Sequence, residues 1–149
     1  MTAEKFWTWW LKVTMIMVMA GGFLLVALYN LGISDFLDRK IDRVFFEGEN
    51  PADAVNRLRI WMISVAGAVM AGWGLMMLYI VNHPFRRKEK WAWRSIFYPI
   101  LIWYLIDNTI SAWYGVGINV IINTVLFLQV IAPLLFLRNQ FFVRLNTVS

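Results

Sequence analysis

The stretch "WYLIDNTISAWYGVGINVIIN", Trp103–Asn123, decides how this chain is read. It is apolar and aromatic over most of its length, yet it holds Asp107, Asn108, Ser111, Asn119 and Asn123 around a "YGVG" turn. With Gly115 as the centre of an antiparallel helical hairpin, Asp107 lies eight residues before the turn and Asn123 eight after. Ser111 and Asn119 lie four before and four after. The i, i+4 spacing puts Asp107 and Ser111 on one face of the first helix and Asn119 and Asn123 on one face of the second. Four polar side chains therefore fall at two matched levels. Asp107 sits roughly 12 Å from the turn at a rise of ~1.5 Å per residue.

Composition says what surrounds that stretch. Of the 149 residues, 60% are hydrophobic and 15% are charged, and the mean hydropathy is +0.61. A soluble domain of this size needs more polar surface, so most of the chain should face lipid or other helices. The absence of cysteine removes disulfide exchange, thiolate metal sites and cysteine nucleophiles. The single histidine, His83, excludes a haem held by two histidines of this chain. There is no glycine-rich phosphate loop, paired catalytic carboxylates or Ser-His-Asp set, so no catalytic residue, metal ligand or cofactor is assigned. The net charge of +5 reads as membrane orientation rather than nucleic-acid binding, because five basic residues crowd into Arg86–Arg94 beside apolar runs.

Working outward from the hairpin, the chain reads as one domain, residues 1–149, all-α: an integral membrane four-helix bundle. Its helices run over about Trp9–Ile33, Pro51–His83, Trp91–Tyr114 and Gly117–Leu137, with the membrane part starting at about Val13 in the first and about Ile60 in the second, each long enough for a bilayer. The opening "KFWTWWLK" leads into the first span without a small-x-small cleavage pattern, so that span is read as retained. The long first connection, "SDFLDRKIDRVFFEGENPADAVNR", holds six of the nine acids. Leu37, Ile41, Val44 and Phe45 share one helical face there, which predicts a short amphipathic surface helix ended by Gly48. "NPAD" restarts a helix, with Asn50 as N-cap, Pro51 in the first turn and Asp53 near the positive end of the dipole.

Orientation follows from the basic residues. The termini and the "PFRRKEKWAWR" connection carry nine Lys and Arg; the other side carries five. That split places both termini in the cytoplasm, which in a bacterium means an inner-membrane protein with the amphipathic helix in the periplasm. Trp7, Trp9, Trp10, Trp91 and Trp93 fit an aromatic belt at the inner edge. "GAVMAGWG" pairs Gly67 with Ala71 and Ala68 with Gly72 at small-xxx-small spacing, a close helix contact that Ala20, Gly21 and Gly22 could face. Pro99 and Pro133 each release a carbonyl inside a span.

An acid at the depth of Asp107 costs on the order of 2.5–3.5 kcal/mol unless it is satisfied. Two arrangements are open. Asp107 is a neutral acid donating to Asn123 or another carboxamide, or it pairs with Arg57 or Arg59 reaching down from the second span. Asn30, near the outer end of the first span, could join either. The candidate ligand-binding set is therefore Asp107, Asn108, Ser111, Asn119, Asn123, Asn30, Arg57 and Arg59. The bland alternative is that the cluster is glue between helices, each bond worth about 0.6–2 kcal/mol.

The four short spans, the "RRKEKWAWR" step and the polar "WYLIDNTISAWYG" helix together resemble small bacterial membrane proteins of the DoxX-like and BphX-like kind. That resemblance implies the four-helix architecture and a link, in some members, to quinone or redox pathways. It transfers no catalytic residue. Three functions follow, in order of preference. The first is a non-enzymatic accessory or subunit, working with other membrane proteins or as a homo-oligomer. The second is a binder or carrier of a small amphipathic ligand such as a quinone or membrane lipid. The third is a membrane enzyme without its own cofactor.

Overall fold

A computed structural model describes residues 2–47 and 52–142, and those residues form helices and no strand. There are five helices: α1 Ala3–Asn30, α2 Asp35–Phe45, α3 Asp53–Asn82, α4 Lys90–Trp113 and α5 Gly117–Phe142. Three of them, α1, α3 and α5, are long and apolar enough to cross a membrane. The expected caps at Gly48, Asn50 and Pro51, and the basic Arg144, lie outside the described residues.

Local chemistry sets the ends. α1 begins six residues earlier than expected because Thr2 caps it, its Oγ1 accepting from Lys5 N at 3.4 Å, with Glu4 in the positive first turn. α4 ends in a Schellman motif. Val116 N–H reaches Ser111 O at 2.8 Å and Gly115 N–H reaches Ala112 O at 3.1 Å, with Gly115 at φ 74°. A residue with a Cβ strongly disfavours that left-handed conformation, so the glycine makes the hairpin turn tight.

The long helices pack mainly as two antiparallel pairs, α1 with α3 and α4 with α5, joined through α1 and α5. The first pair meets through glycine. A Cβ on Gly67 would lie 2.8 Å from Gly22 O, and one on Gly74 would lie 2.6 Å from Met19 N. Of the two small-xxx-small pairs, Gly67–Ala71 is buried in this contact, whereas Ala68 and Gly72 face outward. The link between the pairs uses a proline. Pro133 has no N–H to give to Gln129 O, and Trp10 Nε1 of α1 donates to that carbonyl at 3.1 Å.

The shared apolar core sits at the end that holds the N-terminus, the α3–α4 connection and the end of α5. Leu11, Met77, Val81, Ile96, Leu134 and Leu137 are buried there. Trp93 is also buried, with Nε1 donating to Leu134 O at 2.8 Å. Trp7 packs on the same core. Of the tryptophans expected in the belt, Trp9 and Trp91 are exposed, Trp7 and Trp10 are half-buried and Trp93 is buried.

Candidate functional site

At the opposite end, α4 and α5 are joined by polar groups. Asp107 Oδ1 accepts from Ser111 Oγ at 3.1 Å, Asn119 Nδ2 at 2.7 Å and Asn123 Nδ2 at 2.8 Å. Asn119 Nδ2 also donates to Ser111 Oγ at 2.7 Å. Ser111 and Asn123 are buried, while Asp107 and Asn119 are half-buried. Three donors converge on one carboxylate oxygen, and all come from the hairpin itself. The hairpin register explains this: the i, i+4 spacing on each helix stacks the donors over one acceptor. The cluster continues deeper, where Tyr104 Oη and Thr124 Oγ1 lie 3.3 Å apart and the Tyr104 ring stacks on Phe127 at 4.1 Å. Sequence reasoning missed that rung, although Tyr104 lies one turn before Asp107 and Thr124 directly follows Asn123.

Several expected members stand elsewhere, although Asn123 does meet Asp107 across the hairpin. Asn108 Oδ1 is buried without a hydrogen-bond partner among the described residues. Asn30 Nδ2 donates to Val26 O at 2.8 Å and Ser64 Oγ at 2.9 Å, tying α1 to α3. Arg57 is exposed near the start of α3. Arg59 does not reach Asp107. It turns to α2, with Nη1 bonding Asp42 Oδ1 at 2.5 Å, Nη2 bonding Asn56 Oδ1 at 2.9 Å, and Nε pairing with Asp38 Oδ1 at 3.5 Å. The last is an ion pair without hydrogen-bond geometry.

This second polar centre lines an open cleft of about 580 Å³ between the ends of α1 and α3 and the face of α2. Tyr29 Oη and Ser34 Oγ donate to the two oxygens of Asp38 at 3.1 and 2.5 Å. The side chains of Arg59, Asp38 and Asp42 are 14, 16 and 13% exposed, so the pairing works in a largely desolvated setting. The signal was present in the sequence: Ser34, Asp38 and Asp42 are spaced four apart along one face of α2.

The apolar face of α2 is buried less than its pattern predicts. Leu37 and Ile41 are half-buried, but Val44 and Phe45 are 40 and 48% exposed. The reason is position. The end of α2 runs out over the α4–α5 turn, where the Phe45 ring lies 6.0 Å from that of Tyr114. His83 closes α3, with Nδ1 3.0 Å from Tyr79 O and its ring stacked on Tyr79. Among the described residues, no group of three or more His, Asp or Glu gathers to hold a metal. Neither a protein-family model, nor a curated protein, nor a solved structure matches the chain.

Proposed function

We propose that this is a small integral membrane protein in which α1, α3, α4 and α5 all cross the bilayer. Both termini face the cytoplasm of a bacterial inner membrane, and α2 lies on the outer surface. α4 is the helix that needs argument. Its 24 residues suffice for a bilayer core. Between Ser95 and Trp113 its one charged residue is Asp107. What lowers its hydropathy is Asp107, Asn108 and several Tyr and Trp, and α5 satisfies Asp107 by hydrogen bonds. The nine-to-five split of basic residues supports the orientation. The layout resemblance to DoxX-like and BphX-like proteins agrees with four spans and adds no site residue.

Within that architecture we infer a non-enzymatic accessory or subunit in which the Asp107 cluster is a lock. The observation that carries this reading is the set of three hairpin donors on one oxygen of Asp107. The principal clefts are lined by other residues. A ligand reading, for a quinone or lipid with a polar end, draws its support from Asn108, whose buried Oδ1 has no hydrogen-bond partner among the described residues.

The chain has no cysteine, so single cysteines test the architecture cleanly. In intact cells a membrane-impermeant maleimide should label Lys40→Cys. It should label Arg87→Cys only after permeabilisation. Ile106→Cys, at an outward-facing position on α4, should stay unlabelled in both conditions and react only in denaturant. Labelling of Ile106→Cys in membranes would take α4 out of the bilayer. A swap between Lys40→Cys and Arg87→Cys would reverse the orientation.

A further inference from the structure

At the termini end a cleft of about 340 Å³ opens between the first turns of α1 and the connection from α3 to α4. Glu4, Lys5, Thr8, Trp9 and Lys12 line it from α1, and Arg86 and Lys88 line it from the connection. The connection is tied down from both sides. Phe85 is fully buried, its ring 4.6 Å from Phe141. Lys88 holds φ at 59°, a left-handed conformation that L side chains resist. Its ammonium group offsets that strain by pairing with Glu4, bonding Gln140 Oε1 at 2.5 Å and lying 5.5 Å from the Phe141 ring centre.

The charges of Glu4 and Lys88 are thereby used on each other. Lys5, Lys12 and Arg86 have no ion pair or side-chain hydrogen bond among the described residues. Three unpaired cations from two separate elements thus converge on one opening, beside the Thr8 hydroxyl and the exposed ring of Trp9. Beyond Lys12 the same face of α1 continues as exposed apolar surface at Ile16 and Phe23. A basic rim running into an apolar strip matches a molecule with an anionic head and a hydrocarbon tail.

We propose that this cleft binds the phosphate group of an anionic phospholipid. Lys5, Lys12 and Arg86 take the phosphate oxygens, Thr8 donates a further bond, and the acyl chain lies along Trp9 and Ile16. The proposal rests on the membrane reading above. It goes beyond a general excess of positive charge, because the tied connection fixes where Arg86 stands relative to α1.

The test is native mass spectrometry of the detergent-solubilised full chain with phosphatidylglycerol, phosphatidylcholine and inorganic phosphate. Phosphatidylglycerol should be retained in preference to phosphatidylcholine. Lys12→Gln with Arg86→Gln should weaken phosphatidylglycerol binding on the order of twentyfold, and Lys12→Gln alone about fivefold. Arg87→Gln with Lys90→Gln removes the same formal charge outside the cleft and should cost about twofold or less. Equal losses in the two double variants would reduce the effect to general attraction and overturn the site. Displacement of the lipid by millimolar phosphate would mark a free-anion site and overturn the lipid assignment. Unchanged unfolding of each variant in a neutral detergent checks that the fold persists. A chain that stays in solution without detergent would instead break the membrane reading, a failure distinct from those two.

Discussion

At the termini end, Leu11, Met77, Ile96 and Leu134 meet from all four long helices and are fully or almost fully buried. At the turn end, that shared core is gone and each pair has its own fastening. α1 meets α3 by backbone contact at Gly22 and Gly67. α4 meets α5 through Asp107 and its three donors. α2 bridges the two pairs, held to α3 by Arg59 and resting on the turn at Tyr114. With the four helices in a bilayer as proposed, the difference teaches what lipid does to packing. Among lipid tails, apolar side chains gain little from meeting one another, so helices that leave a shared core need close backbone approach or hydrogen bonds. The turn end uses both.

The largest expected effect lies in the shared core. Leu134→Ala should destabilise the protein in detergent by about 2–3 kcal/mol. This is the lower part of the range for core truncations, because in the proposed bilayer setting the cavity contributes more than transfer does. A loss under about 1 kcal/mol in equilibrium unfolding would mean that the termini end is not the principal core.

A smaller and more local effect is expected at α2. Arg59→Met leaves Asp38 and Asp42 one turn apart without their cation. It should cost about 2 kcal/mol, mostly as local opening. Amide exchange in α2 should speed up while exchange in α1 and α3 barely changes, and salt should alter α2 exchange little in the unmutated chain, because its ion pairs are largely desolvated. Exchange that accelerates equally throughout would make Arg59 part of the global core and erase the distinction between the two ends.

Much of this was legible because apolar periodicity and turn chemistry are local. The last helix starts at Gly117 as the turn chemistry predicts, and α3 and α4 end within two residues of the expected positions. The pairing of Asp107 with Asn123 followed from counting outward from Gly115. What was not legible depended on tertiary competition. Arg59 had two possible acid partners, Asp107 in the hairpin and the Asp38–Asp42 stripe on α2, and sequence alone does not say how α2 folds back. Trp10 and Trp93 resembled interface residues, because nothing local shows that a neighbouring helix offers Gln129 O and Leu134 O. α1 starts ahead of its apolar run because the Thr2 cap lies outside that run.

The central claim is that hydrogen bonding to Asp107 fastens the turn end of α4 and α5, and it is tested by comparing Asp107→Asn with Asp107→Leu in one equilibrium-unfolding experiment in detergent. Asparagine keeps an oxygen acceptor of the same size at that position, so Asp107→Asn should stay within about 0.5 kcal/mol of the original chain. Asp107→Leu removes the acceptor for Ser111, Asn119 and Asn123 and should lose about 1 kcal/mol, the modest worth of hydrogen bonds in a bilayer. Equal stability of all three chains, or a leucine variant more stable than the original, would contradict the lock and leave Asp107 to be explained by a ligand instead.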